Sequence, residues 1–160
     1  MIVVADSSPL IVLVRIGQVH ILQALFREVV IPPEVAVELA SPKRPKAVHD
    51  FIHARPNWLL IQGVATLLEI EDLHEGERSS ISLAVETEAD LLLIDERDGR
   101  RAALARNLKI AGTIAILERA AESNLLDLEE AFDRIKATDF WISPKLLDAQ
   151  LKRHRERGGK

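Results

Sequence analysis

Two short apolar runs in this chain each end on an aspartate: Met1 to Ala5 delivers Asp6, and Leu91 to Ile94 delivers Asp95. In a parallel α/β sheet, ligands bind outside the carboxyl ends of the strands, so acids placed there face a crevice. A buried unpaired charge is costly, and a divalent cation offsets that cost. Two more acids suit the same chemistry. On a helix opening at Glu75, positions 77, 81, 84 and 85 share a face, and they hold Glu77, Ile81, Ala84 and Val85. An acid thus continues an apolar stripe, with Gly76 before it allowing close backbone approach. Glu38 lies on a proline-started helix one turn after Glu34, a like-charge spacing that is mildly unfavourable without a nearby cation or base. Asp6, Glu38, Glu77 and Asp95 together offer only hard oxygen donors, which suit Mg²⁺ or Mn²⁺. One or two such ions can activate water and stabilise a leaving oxygen.

Each acid also has a purely structural role open to it. Asp6 can make an Asx turn, although Ser7 and Ser8 are available to cap the helix that follows. Asp95 can be an N-cap with Asp98 at the third helical position, so Asp98 stands equally as ligand or cap. Glu77 can serve the dipole of its own first turn, and Glu34 and Glu38 can be solvated surface acids.

The remaining chemistry is narrow. With no cysteine, disulfides, thiolate zinc sites and cysteine nucleophiles are excluded. A net charge of −4 rules out a wide basic coat, yet Arg97, Arg100, Arg101, Arg106 and Lys109 cluster after Asp95. These form a solvated helix face or a guide for a phosphate backbone. Lys152, Arg153, Arg155, Arg157 and Lys160 crowd the C-terminus. Aromatic content of 4% without tyrosine argues against extensive base stacking. The pair His49 and His53 has a zinc-hydrolase spacing but an aspartate between them and Arg55-Pro56 directly after, which favours an ordinary surface helix. A phosphatase using Asp6 as nucleophile lacks its second aspartate, because Ser8 occupies that place.

The elements that must hold these residues alternate. Strands are expected at Ile2 to Ala5, Glu28 to Ile31, Trp58 to Ile61, Leu91 to Ile94 and Lys109 to Ala111. Helices are expected from Ser8 to Gly17, Val19 to Phe26, Pro33 to Ala40, Lys46 to Ala54, Glu75 to Ala89, Arg97 to Asn107, Thr113 to Ser123, Leu128 to Ala137 and Pro144 to Arg155. In the first of these Ser8 is the N-cap, Pro9 opens the helix, Gly17 ends it, and apolar residues on nearly every side make it buried. This alternation predicts an α/β three-layer sandwich, a parallel sheet of about five strands flanked by helices.

At 160 residues, 48% hydrophobic and 29% charged, the chain suits one soluble globular domain over 1–160. Residues 138–160 form a C-terminal helical extension and basic tail. Trp141, Leu146, Leu147 and Leu151 on that extension are core or a dimer face. The opening run is broken by Asp6 and lacks a basic flank, so neither a signal peptide nor a membrane span is expected, and the location is cytoplasmic.

From Met1 to Leu126 the chain resembles the PIN-domain nucleases, particularly VapC-like toxins and a PIN-like branch beginning Asp-Ser-Ser-Pro-Leu. The resemblance rests on Val3-Val4-Ala5-Asp6-Ser7-Ser8-Pro9-Leu10, Ile31-Pro32-Pro33-Glu34-Val35-Ala36-Val37-Glu38-Leu39, Gly76-Glu77-Arg78-Ser79-Ser80-Ile81-Ser82-Leu83-Ala84 and Leu91-Leu92-Leu93-Ile94-Asp95-Glu96, in that order. It implies an acidic pocket of Asp6, Glu38, Glu77 and Asp95, extended by Asp98, that binds Mg²⁺ or Mn²⁺ and hydrolyses RNA. Ser7 and Thr113 resemble the hydroxyl positions beside that pocket, while Arg97, Arg100 and Arg101 would guide the substrate. Expected partners are RNA, a small antitoxin and a second copy of the chain in a homodimer. The chain departs from the pattern in two places. Glu77 stands where toxin relatives often have aspartate, and Asp98-Gly99 stands where many have an acid followed by phenylalanine. The alternative is a catalytically weak or inactive PIN-like interaction or regulatory module.

Overall fold

The computed structural model describes residues 1–140 and 143–158. Five strands form one parallel sheet: β1 (Val3–Ala5), β2 (Val29–Ile31), β3 (Leu59–Ile61), β4 (Leu91–Leu93) and β5 (Ile110–Ala111), in the order β3-β2-β1-β4-β5. Their Val, Ile and Leu content suits strands covered on both faces, as β1, β2 and β4 largely are, whereas Leu60 and Ile61 of the edge strand β3 are exposed. β1 pairs with β4 through Val3↔Leu91, Val4↔Leu92 and Ala5↔Leu93, and with β2 through Val4↔Val30.

Between the strands run α1 (Ser7–Arg15), α2 (Ile21–Phe26), α3 (Pro33–Leu39), α4 (Lys46–Ala54), α5 (Glu75–Glu86) and α6 (Arg97–Ala105). The α/β class and the roughly five-stranded parallel sheet flanked by helices are as the apolar pattern predicts. Helix α1 buries Leu10 and Leu13 completely, and Gly17 ends it at φ 73°, in the left-handed region that glycine enters freely. A central core of Val4, Ile81, Leu83, Ala84, Leu92, Ile94 and Ala103 locks α5 and α6 onto β1 and β4. That packing aims the first turn of α5 at the ends of the central strands.

Several boundaries differ from expectation. Helix α1 starts at Ser7, which puts Asp6 rather than Ser8 at the N-cap position. Helix α2 starts at Ile21, two residues late. Helix α5 stops at Glu86 instead of Ala89, because Glu88 turns left-handed (φ 51°) and Ala89 N–H returns to Ala84 O at 2.9 Å. Helix α6 likewise stops at Ala105, with Asn107 left-handed at φ 60° and Leu108 N–H donating to Ala103 O.

The chain packs as two compact units, Met1–Thr113 and Ile114–Lys160. The first holds the sheet. The second contains most of α7 (Thr113–Glu122), together with α8 (Leu128–Lys136) and α9 (Pro144–Glu156). Asp127 caps α8 by accepting from Glu130 N–H at 3.0 Å. Arg155 pairs with Glu129 at 2.7 Å and Arg157 with Glu122 at 3.0 Å, which ties two residues of the basic C-terminal cluster to acids of α7 and α8. Leu147 is buried, Leu151 half-buried and Leu146 exposed. Trp141 and Lys160 lie outside the described residues. Among the described residues no helix is long and apolar enough to cross a membrane.

Candidate functional site

The strand order reverses between β1 and β4: connections from β1 run outward to β2 on one side, while β4 lies on the other. The carboxyl ends of this pair form the topological switch point, where open α/β sheets make their ligand crevice. Asp6 and Asp95 both emerge there. Asp6 follows β1 directly and its N–H donates to Leu93 O at 2.9 Å, so the ladder continues until the side chain leaves the sheet.

Asp6 is only 2% exposed, and its side chain makes no capping bond to α1. The single proton of Ser80 Oγ goes to Gly76 O at 2.8 Å and is shared more weakly with Asp6 Oδ1 at 3.3 Å. Burial pushes the Asp6 carboxyl from 3.8 up to about 7, with the negative charges of Glu77 and Glu38 adding to the rise. The Ser7 backbone N–H and the Ser80 hydroxyl pull the other way. Ser7 itself is buried at the first position of α1.

Helices α3 and α5 pack together and bring in the next two acids. Gly76 is the hinge of this approach. A Cβ built there would lie 3.4 Å from Glu38 Oε1 and 3.9 Å from Asp6 Oδ1, so oxygens from α3 and the end of β1 face one small volume. Glu38 is half-buried, its carboxyl raised by burial, with Arg44 at 3.9 Å as a partial counter-charge. Glu77 is 5% exposed and does two things. Its Oε1 accepts from His74 N–H at 3.3 Å at the head of α5, while the buried Oε2 has no hydrogen-bond partner. Burial raises its carboxyl, and Glu96 and Glu38 raise it further. The inward stripe predicted for Glu77, Ile81 and Ala84 is present, but Val85 falls at the exposed margin.

Asp95 is held differently. Thr113 donates twice to it, from the backbone N–H to Oδ1 at 2.8 Å and from Oγ1 to Oδ2 at 2.7 Å. Glu96, not Asp95, occupies the N-cap position of α6 and makes no side-chain cap, so the expected Asp95–Asp98 capping box is absent. The reason is geometric: β5 returns beside β4 and presents Thr113, a residue with two donors, to the carboxylate first. Arg100 Nη1 donates to Ile94 O at 3.1 Å, and it and Asp95 Oδ1 both crowd the position of a missing Cβ on Gly112, at 2.8 and 2.9 Å. Burial still raises the Asp95 carboxyl, against the lowering by Thr113 and Arg100.

The structure therefore gathers Asp6, Glu38 and Glu77 around the head of α5, and assigns Asp95 to a clamp with Thr113 and Arg100. Asp98 is exposed in the first turn of α6. Arg97 and Arg101 are exposed, and with Asp95, Arg100 and Leu104 they line a shallow depression of 440 Å³. His49 and His53 turn to backbone carbonyls, His49 Nε2 contacting Ser41 O and His53 Nδ1 lying 2.8 Å from His49 O. Sequence reasoning missed Ser80 and Gly112, whose roles depend on partners far along the chain.

Among the described residues, no group of three or more His, Cys, Asp or Glu side chains is placed to hold a metal ion. A well-hydrated cation does not require one, since Mg²⁺ typically takes one or two carboxylates and keeps several waters. The orphaned Glu77 Oε2, the shared volume at Gly76 and an all-oxygen donor set fit such an ion.

Comparison with known proteins adds three findings. The profile of the family DUF3368, a PIN domain, matches residues 2–156. Among solved structures, the chain is similar to a PilT N-terminus domain protein from the hyperthermophilic archaeon Sulfolobus solfataricus P2. The TM-score is 0.57 at 14% identity, over 76% of this chain and 95% of that one. No curated protein matches the chain significantly.

Proposed function

From the premise that this chain belongs to the PIN-domain family, we propose that it is a metal-dependent ribonuclease, with Asp6, Glu38 and Glu77 as the heart of its centre. The observation that carries this reading is the gathering of desolvated carboxylates at the switch point of the sheet. Burial raises Asp6, Glu38 and Glu77 together, and the negative charges of Glu77 and Glu38 add to the rise at Asp6. Acids crowded at a cost to folding mark a site whose counter-charge comes from a ligand.

Mg²⁺ or Mn²⁺ bound there would supply Lewis acidity toward a phosphodiester and lower the pKa of water. The chain's own residues prepare the place. Asp6 and Glu77 offer oxygens kept dry by α1 and α5, Glu38 is the more exposed acid and the one able to orient an attacking water, and Ser80 fixes the rotamer of Asp6. Asp95, hydrogen-bonded twice by Thr113 and lying near the Arg100 guanidinium, shapes the far wall rather than donating freely. Arg97 and Arg101 border that wall and attract a phosphate backbone through long-range charge. RNA as the polymer follows from the family resemblance.

A labelled single-stranded RNA incubated with the purified chain tests the proposal. Cleavage should require Mn²⁺ or Mg²⁺, stop with chelator, and be lost in Asp6→Asn and Glu77→Gln. Cleavage that persists in chelator or in both variants refutes it. A second reading, an RNA-binding module without catalysis, is favoured by the lack, among the described residues, of any group of three or more His, Cys, Asp or Glu side chains placed to hold a metal ion. Binding without cleavage at saturating Mn²⁺ would select it.

A further inference from the structure

Gly99 sits in the first turn of α6, fully inside a helix and buried. Glycine is a poor choice there on local grounds, because it gives up more backbone freedom than alanine and packs nothing. Its surroundings give the reason. A Cβ on Gly99 would lie 2.7 Å from Ile94 Cδ1 and 2.8 Å from Glu77 Oε2, closer than real side chains pack. The Glu77 oxygen in question is the one with no hydrogen-bond partner.

We infer that Gly99 is a positioning residue for Glu77, its missing side chain being the space that lets a glutamate, rather than a shorter aspartate, place its free oxygen in the site. The two departures from the family pattern noted in the sequence, Glu at 77 and Gly at 99, are then one adjustment. Glutamate carries its carboxylate one methylene further, and the first turn of α6 withdraws by one side chain to receive it. Oε1 accepts from His74 N–H at 3.3 Å, which ties one end of the carboxylate to the head of α5, so a methyl group at position 99 would push Oε2 off its present place. Ile94 is completely buried in the core and closes the other escape.

This inference rests on the metal-centre reading of the site, and its test separates the two. Four proteins are compared: wild type, Gly99→Ala, Glu77→Asp and the double variant. Each is measured for unfolding midpoint in chelator and for Mn²⁺ affinity by calorimetry. Alanine favours the helix, so the single variant Gly99→Ala is expected to fold. Its Mn²⁺ affinity should fall by at least about tenfold, as when a group that orients a ligand is disturbed. In the Glu77→Asp background the same substitution should leave affinity unchanged and cost the unfolding midpoint less than it does beside Glu77, because the shorter acid no longer meets the methyl group and only the contact with Ile94 is left. Additive midpoints across the four proteins, or equal Mn²⁺ affinity with and without the alanine when Glu77 is kept, overturn the inference while leaving the metal centre intact. Coupled midpoints in a wild-type chain that binds no Mn²⁺ overturn the metal centre, and the positioning role falls with it.

Discussion

Replacing Asp6 by asparagine removes a buried charge with almost no change of shape, and so separates what the carboxylate costs the fold from what it gives the site. Burial raises this carboxyl from 3.8 to about 7. A folded-state pKa above the unfolded value means the folded chain holds the proton more tightly. The metal-free protein therefore loses stability as pH rises from the ordinary carboxylate range through about 7, and the loss is complete above it. At about 1.36 kcal/mol per unit the cost is about 1.5 kcal/mol at pH 5 and about 4 kcal/mol at pH 8. Asp6 is 2% exposed, so solvent screening reduces this little. Asparagine does not titrate, and groups distant from Asp6 cancel in the difference. Urea unfolding in chelator should thus show Asp6→Asn gaining on wild type by about 2.5 kcal/mol between pH 5 and pH 8. Saturating Mn²⁺ at pH 8 should reverse the order, since it stabilises wild type by binding the native state and has lost a ligand in the variant. A stability difference that is the same at both pH values refutes the desolvated carboxylate on which the site is built.

Other perturbations probe separate parts of the account. Thr113→Val deletes a buried hydroxyl that donates to Asp95 at 2.7 Å, and should cost about 1–3 kcal/mol in urea unfolding; an unchanged midpoint would contradict the clamp. Arg97→Ala with Arg101→Ala touches exposed side chains and should alter stability by no more than about 0.5 kcal/mol each. The same pair should flatten the salt dependence of single-stranded RNA binding, read by fluorescence anisotropy, by about 0.7 per arginine. Mn²⁺ affinity measured by calorimetry should climb with pH until about 7 and then level, because Asp6 must lose its proton to bind. Ile81→Ala, at a completely buried position of the central core, should cost about 2–5 kcal/mol without changing the pH at which affinity levels.

What could be read from residues alone was whatever depended on short-range pattern. Apolar runs ending at Asp6 and Asp95 located the central strands to within a residue, and their acids at the switch point. The stripe of Glu77, Ile81 and Ala84 told correctly that an acid turns inward, because a helix repeats its faces whatever it packs against. Helix ends were less legible where the stop was a left-handed residue other than glycine, as at Glu88 and Asn107. Partners of the acids were least legible. Thr113 reaches Asp95 across 18 residues only because β5 pairs with β4, and Ser80 reaches Asp6 across 74 residues only because α5 packs on β1. Local spacing made Asp95 and Asp98 look like a capping box; tertiary pairing offered Asp95 stronger donors. Gly99 and Gly112 each face a carboxylate that nothing in their own neighbourhoods announces, whereas Gly76, just before Glu77, was legible as a point of close approach.

The central claim is that Asp6, Glu38 and Glu77 form a divalent-cation site at the carboxyl ends of β1 and β4. Anomalous diffraction from crystals of the chain soaked in Mn²⁺ at pH 8 tests it most directly. A manganese peak is expected at coordination distance, about 2.1 Å, from an oxygen of Asp6 or Glu77, with Glu38 bonded directly or through water. A well-ordered site with no peak, or a peak held by Asp95 and Asp98 with Asp6 and Glu77 untouched, would contradict it.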